Sequence, residues 1–271
     1  MARPIFVLSS GRSGTFQVAS LLRLNPDLEV HHEYEFGQTL MNGVRSHMIG
    51  RFREDLEKSL QDSHGAAVRS SAKALWVDVS NALPWALPVL VDQFPEGRFI
   101  LLVRNGRRVV SSFFHKFQDV MYPSQVVKAI EDWMKSGGHR PGPLSPELWR
   151  PLPQPHNQTE IDISNRFQLL SWYWSHVNDY SHRVLTDSSV DFHVYRFEEI
   201  LRKKQTLQSF LELMDTELSE QHLKELFVPT NVAIPETFPL SREQERDFWH
   251  ISGQTMELFG YGEKDDYRVA Y

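Results

Sequence analysis

The chain has 271 residues, 41% hydrophobic and 24% charged, with a formal net charge of −6 and no cysteine. This size and balance fit one α/β domain with a substantial core and exclude a disordered or coiled-coil chain. The negative charge argues against a general nucleic-acid binder and against polyanionic acceptors, and the missing cysteines exclude disulfides, thiolate metal sites and a cysteine nucleophile.

In chain order, "PIFVL" (4–8) reads as a buried strand that runs into the glycine turn "SSGRSGT". A helix follows from Thr15 and is stopped by Pro26. "LEVHH" (28–32) and "ALWVDV" (74–79) are the next strands, and "LPWALPVLVDQF" is a helix before the strand "RFILLV" (98–103). "RRVVSSFFHKF" puts Val109, Val110, Phe113, Phe114 and Phe117 on one helical face. A long helix begins near Ser164, "FHVYRF" (192–197) is the fifth strand, and "SREQERDFWHISGQTMELFGY" is a closing helix. Strand alternating with helix predicts a parallel five-stranded sheet covered on both faces, in a single domain over 1–271. The six prolines from Pro141 to Pro155 preclude regular structure and predict a proline-rich loop at 138–160, a mobile lid near the acceptor entrance. Asp78, Asp92, Glu96 and Arg98 interrupt the apolar stretch 74–103, so no membrane span is expected. With no secretory signal in view, a cytoplasmic location is the expectation.

The turn after the first strand sits where a phosphate loop must sit, between a strand and a helix N-terminus. Gly11 and Gly14 let the backbone bend closely around an anion, Arg12 adds a full charge, and Ser13 and Thr15 add hydroxyls. A tight structural βα turn would use the same residue types. An ATP-using loop reads G-x-x-x-x-G-K-[ST]; here the second glycine comes only three positions after the first and no lysine follows it. The second anchor is "FILLVRNGRRVVSSFFHK", with Arg104 at a strand's C-terminal end, where ligands of open α/β sheets bind, and Ser112 eight residues later.

Together, "RSGT" after the first strand and "LVRNGRRVVSSF" after a central one resemble the sulfotransferase superfamily, whose members use 3′-phosphoadenosine 5′-phosphosulfate (PAPS) on a P-loop-like α/β fold. "FPEGRFILLVR", "VYRFEEIL" and "LFGYG" extend the resemblance along most of the chain. The pattern is most similar to the tyrosylprotein, carbohydrate and bacterial branch; cytosolic steroid and phenol enzymes carry lysine where Arg12 stands. The resemblance implies that Gly11, Arg12, Ser13, Gly14, Thr15 and Phe16 hold the 5′-phosphosulfate. Arg104 and Ser112 would hold the 3′-phosphate that remains in the product, 3′-phosphoadenosine 5′-phosphate (PAP).

Sulfuryl transfer to a hydroxyl needs an in-line nucleophile, a base for its proton and positive charge near the bridging oxygen. It demands no metal, and the adjacent His31 and His32 point to opposite faces of a strand. Two carboxylates compete for the base. Glu33 ends the second strand, 21 residues after Arg12, as in the tyrosylprotein-type enzymes. Asp78 ends the third, where heparan-type enzymes carry glutamate. Val79 stands where that pattern has lysine, so the cation near the bridging oxygen must come from Arg12 or from elsewhere in the chain. The Arg-Lys-Gly motif of cytosolic members is missing from "PTNVAIPETFPLSR". Trp172 and Trp174 cannot share a helix face, so at least one is core, and Tyr195 and Arg196 are candidates to line the nucleotide site. The expected acceptor is a small molecule or glycan. A phosphoryl-transfer enzyme on the same fold class, or a nucleotide-binding module without transfer activity, are the alternatives.

Overall fold

The computed structural model describes residues 2–154, 161–226, 238–265 and 267. Five strands form: β1 (Arg3–Leu8), β2 (Leu28–His32), β3 (Leu75–Ser80), β4 (Arg98–Val103) and β5 (Asp191–Arg196). All pair in parallel, in the order β2-β3-β1-β4-β5. β1 is therefore central, and the chain builds first to one side of it and then to the other. Ligands of open parallel sheets bind at such a switch point, beyond the strands' C-terminal ends.

The helices are α1 (Thr15–Leu22), α2 (Phe36–Met48), α3 (Arg53–Leu60), α4 (Ala66–Ser70), α5 (Leu83–Gln93) and α6 (Gly106–Lys116). They continue as α7 (Ser124–Lys135), α8 (Arg166–Asp187), α9 (Phe197–Arg202), α10 (Lys204–Glu212), α11 (Glu220–Leu226) and α12 (Arg242–Leu258). Alternation along β1 and β3 sorts the core into two layers. Phe6, Leu8 and Trp76 face the layer containing α2, α5 and α8. Ile5, Val7, Val77 and Val79 face the layer of α1, α9 and α10. The strands read as continuous apolar runs because both faces are covered.

Between α2 and α8, His47 Nε2 lies 2.9 Å from His176 Nε2, beside Trp85 and Tyr180. Burial holds both imidazoles neutral, with His47 pushed down to about 4 and His176 to about 3. The two tryptophans of α8 divide as their spacing requires: Trp174 is core, while Trp172 is partly buried and stacks on His176.

The proline-rich segment is described as far as Gln154; Pro155 to Glu160 lie outside the described residues. It is not a loose surface excursion. A short 3₁₀ turn at Pro146–Leu148 packs on α2, and Trp149, Arg150, Pro151, Leu152 and Pro153 are buried. Tyr122 Oη donates to Pro151 O at 2.7 Å, and Trp149 packs edge-on against Trp133. Proline fixes the backbone cheaply, so apolar residues placed among prolines can dock without regular hydrogen bonding.

Candidate active site

The turn between β1 and α1 is braced by its own serines. Gly11 N–H donates to Ser9 Oγ at 3.1 Å, and Ser13 Oγ donates to Gly11 O at 3.1 Å, fully buried. Arg12 and Gly14 both lie in the left-handed region, at φ 54° and 84°. Glycine is required at 14 for a second reason: a Cβ there would lie 2.2 Å from the Phe197 ring. α1 then starts at Thr15, and the N–H groups of its first turn have no partners within the helix. Such a turn has both the geometry and the dipole to receive an anion.

The second anchor converges on this turn. Arg104, just past β4, donates from Nη1 to Arg12 O at 2.6 Å and lies over the Phe197 ring. Arg12 in turn donates from Nε to Ser112 Oγ at 3.1 Å, from across 100 residues of chain. The indole N–H of Trp174 donates to Arg104 O at 3.2 Å, so the long helix α8 helps seat this arginine. Asn105 caps α6 by accepting from Arg107 N–H, and Glu198 accepts from Asn105 N–H at 3.0 Å. Arg12, Arg104 and Ser112, assigned from two distant motifs, are thus one cluster.

The end of β2 meets the turn from the other side. His32 Nε2 is 3.1 Å from Thr15 Oγ1, and the exposed Phe16 ring stands edge-on to the His32 ring. Burial keeps the His32 imidazole below its ordinary value. Immediately after comes a tight turn in which two glutamates, Glu33 and Glu35, take positive φ of 60° and 47°. Non-glycine residues adopt this region at a cost, and here hydrogen bonds impose it. Glu33 N–H donates to Val79 O and Tyr34 N–H to Asp78 Oδ1, each at 3.1 Å.

Two sequence candidates therefore occupy different places. Glu33 is half-buried and accepts from Asn81 Nδ2 at 2.5 Å. Burial and the nearby Asp78 charge push its carboxyl up, and the Arg150 charge partly opposes them. Asp78 does not end its strand. β3 continues to Ser80, and Asp78 is 0% exposed, with Oδ1 on the Tyr34 backbone and Oδ2 facing the equally buried His64 Nε2 at 3.4 Å. Val79 lies on the opposite, apolar face of β3 and is buried too.

Three residues at this site carry no role in the sequence reading: Asn81, His64 and Arg150. Asn81 lies against the turn, within 3.6 Å of where a Gly11 Cβ would be, and also holds Glu33, so it couples the two. Its signal was a polar residue one step beyond a buried strand. Arg150 lay among prolines, where nothing in the local pattern reveals which way a side chain points. On β5, Tyr195 Oη pairs with Ser209 and its ring packs on Phe210. Arg196 instead lines a cleft of about 290 Å³ with Asn105, Glu198 and Tyr261. Alternation along the strand separates these two candidates.

Among the described residues no group of three or more His, Asp or Glu side chains is placed to hold a metal ion, and no helix is long and apolar enough to cross a membrane.

Residues 4–138 match a family model described as "Sulfotransferase family". The whole chain is similar in fold to a sulfotransferase from Alicyclobacillus acidocaldarius, with 12% identity and a TM-score of 0.51, covering 97% of this chain and 98% of that one. It is likewise similar to the sulfotransferase domain of the Synechococcus PCC 7002 olefin synthase, with 16% identity and a TM-score of 0.51, covering 96% of each. At these identities the likeness concerns the fold. No curated protein is similar enough to match.

Proposed function

The chain belongs to the sulfotransferase superfamily, and from that premise we propose that it transfers the sulfuryl group of PAPS to the hydroxyl of a small molecule or glycan. One observation carries this reading. Asn81 packs where a side chain at Gly11 would project and donates to Glu33, placing a carboxylate close to the turn on which Arg12, Arg104 and Ser112 converge. A cationic cradle for a phosphosulfate and a base for the acceptor proton are thereby neighbours.

In this reading the backbone from Gly11 to Phe16, with Arg12, receives the 5′-phosphosulfate, and Arg104 and Ser112 receive the 3′-phosphate. The acceptor oxygen attacks sulfur, the bond from sulfur to the 5′-phosphate oxygen breaks, and PAP leaves. Glu33 takes the acceptor proton. Burial pushes its pKa up, which strengthens it as a proton acceptor. Arg12 stabilises the charge that grows on the leaving phosphate, the role open because Val79 is apolar and buried. Asp78 acts behind Glu33. It clamps Tyr34 N–H, which fixes the left-handed turn presenting the base. Catalysis of this kind is positioning and electrostatics, and the proposed mechanism routes no step through a metal.

Calorimetry with PAP and AMP tests the donor site. PAP should bind more tightly by about 10–100-fold, the worth of charge-assisted bonds to a 3′-phosphate. Equal affinity would remove the assignment of Arg104 and Ser112. An acceptor screen with labelled PAPS, run with and without EDTA, tests transfer itself. Turnover should survive the chelator; loss with EDTA and recovery with magnesium would favour phosphoryl transfer instead.

A further inference from the structure

His64 is a fully buried histidine for which the proposed donor site and base have no use. It sits in a π-helical turn, Gln61–Gly65, between α3 and α4. Along this stretch a buried residue recurs at every fourth position, at Leu56, Leu60, His64 and Val68. A plain α-helix of about 3.6 residues per turn would let such a series drift off the core face, and the wider π turn takes up the drift. The rarer helix form occurs just where it turns His64 inward.

Both ring nitrogens of His64 are engaged. Nδ1 lies 3.1 Å from Ser63 Oγ, and Nε2 lies 3.4 Å from Asp78 Oδ2. A carboxylate only accepts, so the hydrogen of the second contact lies on Nε2. Among the described residues His64 is the one side chain bonded to Asp78, whose other oxygen accepts from Tyr34 N–H at 3.1 Å. His64 also reaches Tyr34 directly. The two rings stand edge-on at 5.2 Å and 87°, and Trp76 packs edge-on against both, at 5.7 Å from His64 and 5.4 Å from Tyr34. Tyr34 is thus held at its backbone through Asp78 and at its ring by His64 itself. Glu33 immediately precedes it, at φ 60°, in a backbone region that a non-glycine residue keeps only when its surroundings impose it.

We infer that His64 is a positioning residue for Glu33. It fixes Asp78 so that the carboxylate clamps Tyr34 N–H, and it seats the Tyr34 ring, so that the left-handed turn presents Glu33 to Asn81. Its catalytic consequence rests on the reading of Glu33 as the base; its structural consequence rests on the contacts alone. Without His64, Asp78 Oδ2 would be buried with no partner, a costly state. The strained turn is the part that yields, because Asp78 lies within β3 and Glu33 lies beyond β2.

The test compares His64→Gln, whose side-chain amide can donate to Asp78, with His64→Leu, which keeps an apolar filling and removes the donor, in the full-length protein. In His64→Leu the Tyr34 amide should exchange about tenfold faster relative to residues 75–79 of β3, the scale of one lost hydrogen bond, and His64→Gln should restore the protection. PAP affinity by calorimetry should stay near wild type in both variants. With labelled PAPS and an acceptor from the screen, kcat should fall about 10–100-fold in His64→Leu with KM for PAPS little changed, and recover in His64→Gln. A histidine that merely fills the core would instead loosen Tyr34 and β3 alike. That equal loosening, an unchanged Tyr34 amide, or no rescue by His64→Gln would overturn the inference. Should neither variant fold, the wild type decides: nitrogen-15 spectra should place a hydrogen on His64 Nε2, and a bare Nε2 would overturn it. A wild type that binds PAP but transfers no sulfuryl group to any acceptor would sink the sulfotransferase reading separately, with the exchange pattern still deciding whether His64 holds the turn.

Discussion

The proposed donor side of the site draws on two strand–turn–helix units flanking the switch point of one sheet. Its central turn, Ser9 to Phe16, carries serine bonds of its own and is closed by Arg104 on Arg12 O and by the Phe197 ring against Gly14. The proposed acceptor side gathers Glu33, Asp78 and Asn81 from separate segments, and strained backbone at Glu33 and Glu35 is held by bonds from β3 and Asn81. The contrast teaches where variation is tolerated. A local turn survives changes elsewhere in the fold, whereas an acceptor wall assembled from remote pieces can be rebuilt by altering any one of them.

The sharpest way to separate the two sides is Glu33→Gln. Turnover should fall by about 10²–10⁴ while PAP affinity, read by calorimetry, stays near wild type. The same variant has a stability signature. Burial makes Glu33 easier to protonate in the folded chain than in the unfolded one, so its ionised form costs stability once the pH rises above the ordinary carboxylate range. Glu33→Gln should therefore melt slightly higher than wild type at pH 7, and the advantage should shrink as the pH is lowered through the Glu33 titration. A full loss of PAP binding in this variant would break the division between the sides.

On the donor side the strongest structural probe is Gly14→Ala. A Cβ 2.2 Å from the Phe197 ring, on backbone at φ 84°, should cost about 1–3 kcal/mol in denaturant titrations and remove PAP binding as well. Unchanged stability would mean the turn is not clamped by α9 as described. Arg104→Ala should be milder for the fold. PAP should bind about 10–100-fold more weakly, with the melting temperature little changed, because the side chain is only partly buried and outside the apolar core.

The smallest expected effect concerns how the acceptor side is fastened. His47 on α2 and His176 on α8 have pKa values depressed to about 4 and about 3. The unfolded chain takes up those protons near the ordinary histidine value of about 6.5, so stability from this pair is complete above that pH and declines as the pH falls below it. Hydrogen exchange at pH 5 should show α2 loosened relative to pH 7, with residues 3–22 changed less. An equal change in both would mean that the donor turn leans on α2 after all.

Local chemistry wrote much of this protein into its sequence. The five apolar runs are all strands within a residue or two of their expected ends, because burial on both faces of a parallel sheet leaves an unbroken signature. The glycine turn at Gly11–Phe16 is legible as a strand–turn–helix unit, and the family resemblance marked Arg104 and Ser112 as belonging to the same site. α2 and α7 escaped the reading. Both are amphipathic, yet α2 follows β2 across a turn with no glycine or proline to mark it, and α7 follows another helix. What tertiary structure alone decided is direction and neighbourhood. Asp78 and Glu33 look alike as carboxylates near strand ends. Only the two extra residues of β3 beyond Asp78 turn one inward onto Tyr34 N–H and His64, while the left-handed turn at Glu33 brings the other to Asn81. Arg150 is the extreme case. Proline-rich sequence has no periodicity from which a buried face can be read, so the burial of Arg150 is set by the packing of Trp149 and Leu152 into the core.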